Sequence, residues 1–359
     1  SDLMNLIDPA DHLRLLRLLD ANANRASEGM RAVEDYVRFV LEDRGLAEDF
    51  KRLRHDFAAL LDASLADSFQ ARDVPGDVGR TVEGPGEYVR ESLSDVALAN
   101  AKRVEQALRC LEEYIKLLDA GAARRFEALR YRAYGLHQAL EQVRAAQQQV
   151  GERRVQVLID ARESPEALEA LARELVEAGA GVLQLREKRL DDRELLQRAR
   201  VVRRVTLGTP TLFVMNDRAD IARAVEADGV HLGQEDLPVA EARQMLGPGK
   251  CIGVSTHNLE QAVAAVRDGA NYLGCGPTFP SATKSFDAFA GLDFLRQVAQ
   301  QIALPAFAIG GIGLENLDQV LAAGFHRVAV SHAVLAASSP GDVVRELNRR
   351  LLVNGSRSE

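Results

Sequence analysis

The order of apolar and polar residues divides the chain into two parts. Over about residues 11–144, apolar residues recur every three or four positions, a spacing typical of amphipathic helices. From Val155 onward, short apolar runs alternate with segments of helical spacing. An Ala/Gln-rich stretch, residues 145–149, separates the two patterns. We therefore predict two domains, an all-α domain over residues 1–149 and a second domain over residues 150–359.

The second domain contains eight apolar runs, each followed by a helical segment. Runs that are almost continuously apolar and alternate with helices indicate a parallel sheet covered on both faces. Eight such units in about 200 residues have the size of a closed barrel. An open doubly wound sheet is the alternative, but no Gly-x-Gly-x-x-Gly turn follows the first run. The predicted fold class is α/β, a (β/α)8 TIM barrel preceded by an all-α domain. The predicted strands are residues 155–160, 181–187, 211–216, 229–233, 251–256, 272–276, 306–311 and 327–332.

The helical domain contains an internal pseudo-repeat. Arg31 and Glu34 recur 78 positions later as Arg109 and Glu112, and other Asn, Arg and Tyr positions follow the same shift. Such a repeat predicts two helical hairpins related by approximate twofold symmetry. Charged residues at helical spacing are normally a solvated, salt-bridged face. Their repetition, with a glycine-rich loop over residues 73–87, favours an inward-facing phosphate site instead. The candidate phosphate contacts are Arg25, Arg31, Arg103 and Arg109, and the loop contains Gly76, Gly79, Arg80 and Thr81.

Composition narrows the classes of function. The formal net charge of −8 argues against nucleic acid as a partner, because a nucleic-acid-binding protein needs a basic surface. The three cysteines are not spaced as a zinc site and are expected to be free thiols. His231 lies in an apolar strand and is expected to be a hydrogen-bonded core histidine. We find no signal peptide and no apolar stretch of about 18 residues, so we expect no membrane partner and a cytoplasmic location.

Phosphate-binding groups follow the last two predicted strands. In a (β/α)8 barrel the active site lies at the C-terminal ends of the strands, and the loops after strands seven and eight commonly bind phosphate. Here these loops supply Gly310, Gly311 and Ser331. The glycines could instead serve close strand–helix packing alone. We expect one substrate to carry a monophosphate.

Cations and carboxylates share the same predicted face of the barrel. Arg186 and Lys188 follow strand two, and Lys284 follows strand six. Asp217 and Asp236 follow the neighbouring strands three and four. Cations and two carboxylates around one anion indicate a diphosphate bridged by Mg²⁺. Taken singly, the aspartates could be helix N-caps and the cations could be surface residues.

Six motifs, in order, resemble those of thiamine-phosphate synthases. They are Gln-Leu-Arg-Glu-Lys, Asn-Asp, Gly-Val-His-Leu-Gly-Gln-Glu-Asp, Gly-Val-Ser-Thr-His, Gly-Pro-Thr-Phe-Pro-Ser-Ala-Thr-Lys and Ile-Gly-Gly-Ile. The family often has Thr at position 281, where this chain keeps a hydroxyl with Ser281. By this resemblance, hydroxymethylpyrimidine diphosphate would be bound by Gln184, Leu185, Arg186, Glu187, Lys188, Asn216, Ser255 and Lys284. Thiazole phosphate would be bound by Ser281, Ala282, Thr283, Gly311, Val330 and Ser331. Mg²⁺ would be held by Asp217 and Asp236.

The resemblance also implies a dissociative reaction. Diphosphate leaves the pyrimidine methylene group, the ring amino group delocalises the resulting cation, and the thiazole nitrogen captures it. The protein then has to stabilise the departing negative charge and align the two rings. The expected catalytic residues are Lys284, Arg186 and Ser255.

The helical domain resembles a small family that is often fused to thiamine-phosphate synthases. The similarity runs from Leu13 to about Leu140 and is carried by residues 22–35, Asn-Ala-Asn-Arg-Ala-Ser-Glu-Gly-Met-Arg-Ala-Val-Glu-Asp. It implies ATP-dependent phosphorylation of hydroxymethylpyrimidine phosphate, although the chain has no P-loop motif. The alternatives are a thiazole-tautomerase-like isomerase for the barrel and a non-catalytic dimerisation module for the helical domain. The sequence leaves the oligomeric state open, a homo-oligomer included.

Overall fold

The computed structural model describes residues 8–65, 90–280 and 290–355. The chain divides into two compact units, Ser1–Glu141 and Gln142–Glu359. The division falls within one long helix, Ala120–Val150, so the last residues of that helix pack as part of the second unit.

Helices whose starts are fixed by capping side chains form the first unit. The elements are α1 (Pro9–Tyr36), a π-helical turn (Val37–Leu41), α2 (Arg44–Ser64), α3 (Leu93–Ile115) and α4 (Ala120–Val150). Asp8, Asp43 and Ser92 each accept a backbone N–H of the following turn, at 3.2, 2.9 and 3.1 Å. Each of these bonds satisfies a donor that a helix start leaves unpaired.

The pseudo-repeat predicted for the helical part is confirmed by equivalent hydrogen bonds. In α1 the Asn22 side-chain amide donates to the Leu18 carbonyl oxygen at 2.9 Å. In α3, 78 positions later, Asn100 donates to the Val96 carbonyl oxygen at 2.8 Å. The two helices pack so closely at Gly29 that an added Cβ would lie 2.8 Å from Val104. The repeated helices α1 and α3 thus face each other across the core.

The repeat also includes a pair of buried ion pairs. Glu34 accepts a hydrogen bond from Arg54 Nε at 2.6 Å, and Glu112 accepts one from Arg130 Nε at the same distance. Burial raises the pKa of Glu34, but the hydrogen bond and charge of Arg54 outweigh it and hold that pKa below its ordinary value. A buried carboxylate is stable only when it is paired in this way.

The four arginines predicted to form an inward-facing phosphate site point outward. Arg25, Arg31, Arg103 and Arg109 are all exposed. Arg109 pairs with Glu112 and Glu113 on its own helix, at 2.6 and 2.7 Å. The inward orientation was therefore wrong. The physical reason is that the buried faces of α1 and α3 are mostly apolar, and their carboxylates Glu34 and Glu112 are already paired with Arg54 and Arg130. A further, unpaired guanidinium would cost too much free energy to bury there.

The second unit is a closed barrel of eight parallel strands in sequential order, as predicted. The observed strands mostly end one or two residues before the predicted ends, because the chain turns out of the sheet at the polar residues and glycines that follow. The strands are β1 (Val155–Ile159), β2 (Val182–Leu185), β3 (Leu212–Asn216), β4 (Gly229–Leu232), β5 (Cys251–Thr256), β6 (Tyr272–Cys275), β7 (Ala306–Ile309) and β8 (Val328–Val330). The helices are α5 (Pro165–Glu177), α6 (Asp192–Thr206), α7 (Ala219–Ala224), α8 (Val239–Leu246), α9 (Leu259–Arg267), α10 (Gly291–Gln301), α11 (Leu317–Ala322), α12 (His332–Leu335) and α13 (Pro340–Gly355).

A cavity of about 370 Å³ lies beside the N-terminal ends of β7 and β8, away from the predicted site. Arg327 in its wall donates to the Gly151 carbonyl oxygen at 3.1 Å. Arg153 donates to the carbonyl oxygens of Gln149 and Val150, at 3.0 and 3.2 Å. These bonds satisfy carbonyls at the end of α4 and attach it to the barrel, so we interpret this region as structural.

Among the described residues, no helix combines the length and apolar character needed to cross a membrane.

Candidate active site

The ends of β2 and β3 bring together the predicted pyrimidine-diphosphate residues. Gln184 is buried and donates from Nε2 to the Asn216 side-chain oxygen at 2.7 Å. Beyond the two strands, Lys188 Nζ lies 3.2 Å from Asp217 Oδ2. An amide pair and an ion pair therefore lie side by side at the C-terminal face of the barrel.

Two carboxylates meet at the ends of β3 and β4. The Asp236 carboxylate lies close enough to Asp217 to raise the pKa of that carboxyl. Burial, and then the Asp236 carboxylate, raise the pKa of Asp217, although the Lys188 ammonium acts in the opposite direction. Asp236 is held in place by the Gly233 N–H, which donates to its Oδ2 at 2.6 Å. Two carboxylates in contact repel each other when both are ionised, and a cation between them would remove that cost.

The carboxylate pair matches what Mg²⁺ requires. Neither aspartate is a helix N-cap, because Arg218 occupies that position in α7 and Pro238 in α8. Among the described residues no group of three or more His, Cys, Asp or Glu side chains could hold a metal ion. Mg²⁺ commonly takes one or two carboxylates and completes its shell with water and substrate phosphate oxygens. Asp217 and Asp236 are therefore the residues that could hold it.

The segment after β2 is folded back by Glu187. Its carboxylate accepts the backbone N–H groups of Lys188 and Arg189, both at 2.8 Å. The Arg189 side chain pairs with it as well, and these bonds lower the pKa of Glu187 to about 2. The Leu185 side chain is fully buried, whereas Arg186 is partly exposed. Of this predicted segment, Arg186 and Lys188 are the side chains that solvent and substrate can reach.

Ser255, near the end of β5, is held from two sides. Its Oγ lies 2.9 Å from His231 Nε2, and its carbonyl oxygen accepts a hydrogen bond from Gln234 Nε2 at 2.6 Å. His231 is buried and makes a second hydrogen bond, to the Tyr272 hydroxyl at 3.0 Å. The prediction that His231 is a hydrogen-bonded core histidine is confirmed.

The two glycines after β7 have conformations that other residues rarely adopt. The φ angles of Gly310 and Gly311 are +100° and +64°. A Cβ on Gly310 would lie 2.8 Å from Pro277 Cα, and one on Gly311 would lie 2.7 Å from the Pro280 carbonyl oxygen. Close packing against the loop after β6 therefore requires glycine at both positions. Because a glycine has no side chain, the backbone at this point is also left uncovered.

The end of β8 contributes mainly backbone. Val330 is buried and Ser331 is exposed, with its hydroxyl donating to the Leu158 carbonyl oxygen at 3.0 Å. The remaining predicted site residues lie outside the described residues; they are Ser281, Ala282, Thr283 and Lys284 in the barrel and Gly76, Gly79, Arg80 and Thr81 in the helical part.

Sequence reasoning missed three polar residues next to the site. Gln156 and Tyr272 lie inside the barrel, each about 1% exposed, and Gln234 contacts the Ser255 carbonyl oxygen. Gln156 could have been noticed as the polar residue within the apolar run of β1. Tyr272 gives no such signal, because an aromatic residue is an ordinary member of a strand.

Comparisons with known proteins agree with this geometry. Residues 155–334 match the family of thiamine monophosphate synthase, and residues 17–139 match the ThiD2 family. The chain is 46% identical over 337 residues to a thiamine-phosphate synthase of Rhodopirellula baltica, covering 90% of this chain and 89% of the relative. It is 41% identical over 338 residues to one of Synechocystis sp., covering 94% and 96%.

A solved structure matches the barrel alone. Thiamine phosphate pyrophosphorylase from Pyrococcus furiosus has a TM-score of 0.52 and 35% sequence identity, covering 57% of this chain and 98% of its own. These similarities do not favour the isomerase alternative. The barrel matches the family over residues 155–334, and the two relatives that match at least 90% of the chain are thiamine-phosphate synthases. The chain therefore belongs to the thiamine-phosphate synthase family.

Proposed function

We propose that the barrel transfers the hydroxymethylpyrimidine group from its diphosphate to thiazole phosphate. The products are thiamine phosphate and diphosphate. The observation that carries this proposal is the ion pair of Lys188 Nζ and Asp217 Oδ2 at 3.2 Å, with Asp236 beside it, at the barrel mouth. A carboxylate pair with an adjacent ammonium is suited to a diphosphate and its Mg²⁺.

The charged residues of the site bind the leaving diphosphate and its Mg²⁺. The bond between the methylene carbon and the diphosphate oxygen breaks, and a bond from that carbon to the thiazole nitrogen forms. Mg²⁺ held by Asp217 and Asp236 would neutralise the leaving diphosphate. Lys188, Arg186 and, in our prediction, Lys284 donate hydrogen bonds to its oxygens as negative charge builds up.

Neutral polar groups bind the two rings and the second phosphate. Gln184, Asn216 and Ser255 present amide and hydroxyl groups that suit the nitrogen atoms of an aminopyrimidine. Gly311, Ser331 and the backbone at Val330 would bind the thiazole phosphate, together with residues 281–283. Water must be kept from the cation formed on the pyrimidine, so both rings have to be bound before the diphosphate leaves.

The test uses the full-length protein. Hydroxymethylpyrimidine diphosphate, thiazole phosphate and Mg²⁺ are supplied, and thiamine phosphate and diphosphate are measured by chromatography. We expect equal amounts of the two products and no turnover when Mg²⁺ is replaced by a chelator. Turnover that persists in the chelator would contradict the metal assignment, and hydrolysis of the diphosphate without coupling would contradict the transferase assignment.

For the helical unit we propose phosphorylation of hydroxymethylpyrimidine phosphate by ATP. The support is the match of residues 17–139 to the ThiD2 family and the pseudo-repeat of arginines on α1 and α3. The reaction moves the terminal phosphoryl group of ATP to hydroxymethylpyrimidine phosphate and leaves ADP. Its other product, hydroxymethylpyrimidine diphosphate, is the substrate of the barrel.

This second activity can be measured in the same protein. Hydroxymethylpyrimidine phosphate, ATP and Mg²⁺ are supplied without thiazole phosphate, so any diphosphate made accumulates. We expect one ADP for each hydroxymethylpyrimidine diphosphate. A folded protein that forms neither product would contradict the kinase proposal and leave the dimerisation module as the explanation; sedimentation would then show whether the chain is a dimer.

A further inference from the structure

Hydrogen-bonded polar side chains cross the interior of the barrel. We call this set the interior polar network; its members are Asn216, Gln184, Gln156, Tyr272, His231 and Ser255. Gln156 Nε2 donates to Gln184 Oε1, and Gln184 Nε2 donates to Asn216 Oδ1 at 2.7 Å. A second series of bonds runs from the Tyr272 hydroxyl to His231 Nδ1, at 3.0 Å, and from His231 Nε2 to Ser255 Oγ, at 2.9 Å. The network begins and ends at residues of the barrel mouth, Asn216 and Ser255.

The backbone around the network is shaped to admit the contact between Tyr272 and His231. A Cβ on Gly253 would lie 2.1 Å from Tyr272 Cζ and 2.5 Å from His231 Nδ1. A Cβ on Gly274 would lie 3.1 Å from His231 Cε1. Two glycines on neighbouring strands thus leave room for both rings, whose centroids are 5.4 Å apart.

Burial keeps both rings neutral, which limits where the hydrogen atoms can be. His231 is buried and each of its ring nitrogens is bonded to a hydroxyl group, so one nitrogen carries a hydrogen and the other accepts one. Burial raises the pKa of Tyr272 far above its ordinary value, so the hydroxyl keeps its hydrogen. Among the described residues, His231 Nδ1 is the hydrogen-bond partner of the Tyr272 hydroxyl, at 3.0 Å, so the Tyr272 hydrogen points to it.

The remaining hydrogen positions follow from this one. Because Nδ1 accepts, His231 carries its hydrogen on Nε2 and donates it to Ser255 Oγ at 2.9 Å. The Ser255 hydroxyl hydrogen is then free to point into the barrel mouth. At the other end, Asn216 Oδ1 is occupied by Gln184, so the Asn216 amide hydrogens are the ones available to a ligand.

We propose that Tyr272 and His231 are positioning residues that hold Ser255 as a hydrogen-bond donor toward the pyrimidine substrate. The proposal rests on the proposed synthase function for the identity of the substrate. It adds residues that do not touch the substrate and act through Ser255.

Kinetics of variants test the positioning role. Tyr272→Phe removes only the hydroxyl, and we expect a roughly tenfold lower kcat, the value of one hydrogen bond, with a smaller change in the KM of the pyrimidine diphosphate. Ser255→Ala should be slower still. The double variant should be no slower than Ser255→Ala alone, because Tyr272 acts only through that serine. Thr211→Val, which removes another buried hydroxyl bond of the barrel, is the matched control and should keep the wild-type kcat.

The tautomer of His231 gives a readout that does not depend on activity. Nitrogen-15 NMR of the wild-type protein should show His231 as the neutral Nε2–H tautomer, identified by the signal that disappears in His231→Gln. Tyr272→Phe should allow the Nδ1–H tautomer to appear. If the wild-type protein has the Nδ1–H tautomer, the hydrogen bonds between Tyr272, His231 and Ser255 run in the opposite direction and the proposal is wrong. This result does not depend on whether Tyr272→Phe folds.

The outcomes separate this inference from the proposed function. Absence of thiamine phosphate with the wild-type protein would contradict the proposed function. Wild-type turnover combined with additive losses in the double variant would contradict the positioning role alone, since a residue that only packs the barrel adds its own loss to that of Ser255→Ala.

Discussion

At the scale of single residues, Asp217 is the one whose backbone departs most from ordinary geometry at the site. Its φ is +61°, in the left-handed region that is costly for residues other than glycine. Its N–H donates to the His231 carbonyl oxygen at 2.8 Å, so the turn is tied to β4. The turn directs the side chain toward Asp236 and away from the start of α7. Local strain is thus offset by the contacts that bring the two carboxylates together.

Removing either carboxylate charge should stop the synthase reaction. We expect Asp217→Asn and Asp236→Asn each to lower kcat at least ~10²–10³-fold at low Mg²⁺, because the Mg²⁺ that would stabilise the leaving group is held less tightly. Part of the rate should return at high Mg²⁺. Asp220→Asn is the control, since Asp220 pairs with Arg218 at 2.7 Å. The metal assignment fails if both site variants turn over normally at low Mg²⁺ while unfolding at the wild-type temperature.

Glu187 predicts how stability depends on acid pH. The backbone and Arg189 bonds lower its pKa from 4.5 to about 2, so its contribution to stability is present above pH 4.5. It is lost as the pH falls from there toward 2. We expect Glu187→Gln to reduce the fall in melting temperature between pH 5 and pH 2. As a control, Glu163→Gln at an exposed carboxylate should show the same fall in melting temperature as the wild type. If the melting temperature of Glu187→Gln falls as much as that of the wild type, the bonds of Glu187 contribute little to stability.

At the scale of elements, two loops at the barrel mouth are joined to each other. Thr278 donates from its backbone N and its Oγ1 to the Ile309 carbonyl oxygen, at 2.9 and 3.0 Å. The Phe279 N–H donates to the Gly310 carbonyl oxygen at 3.0 Å. The end of β7 therefore sets the position of Thr278 and Phe279, at the start of the loop after β6.

A side chain at Gly310 should disturb this connection. Gly310→Ala combines a left-handed backbone with a contact of 2.8 Å to Pro277, whereas Gly208→Ala has φ +78° and nothing within 4 Å. We expect Gly208→Ala to cost about 1 kcal/mol of unfolding free energy, and Gly310→Ala more. Gly310→Ala should also raise the KM of thiazole phosphate. Equal losses of stability in the two variants would show that the loop gives way without strain.

At the scale of the whole molecule, the chain joins two units with separate cores. The helical unit packs around Leu19, Met30, Phe57, Leu108 and Phe126, all buried. The barrel encloses its own interior, including Tyr272 and Phe307. The relatives that match 90% or more of this chain share both units, which fits two consecutive reactions in one protein.

The exposed arginines of the helical unit predict a separation of the two activities. We expect Arg31→Ala and Arg109→Ala to lower formation of hydroxymethylpyrimidine diphosphate from ATP by about tenfold or more, because arginines can bind phosphate bidentately. The barrel reaction, supplied with ready-made diphosphate, should be unchanged. Arg52→Ala, an exposed arginine paired with Asp49 on α2, is the control. If all three variants phosphorylate normally, the phosphate contacts lie elsewhere.

The sequence by itself determined the architecture, because the patterns that set it are local. Helical and strand periodicity follow from which side of an element is buried, and they predicted all eight strands and the helical part that precedes them. The order of motifs placed Gln184, Asn216, Asp217, Asp236 and Ser255 at strand ends, since every parallel strand of a barrel ends at the same face.

Only the tertiary structure decided which side chains touch. Periodicity did not decide which face of α1 and α3 the arginines occupy. They are exposed, because mostly apolar side chains occupy the buried faces of these helices. Tyr272 looked like an ordinary strand residue, and Gln156 was a single polar residue in an apolar run, yet they bond to His231 and Gln184 across the barrel. Such contacts join residues that are far apart in sequence. They depend on the register between strands and on the space that glycines leave, and the sequence of a single strand or helix determines neither of these.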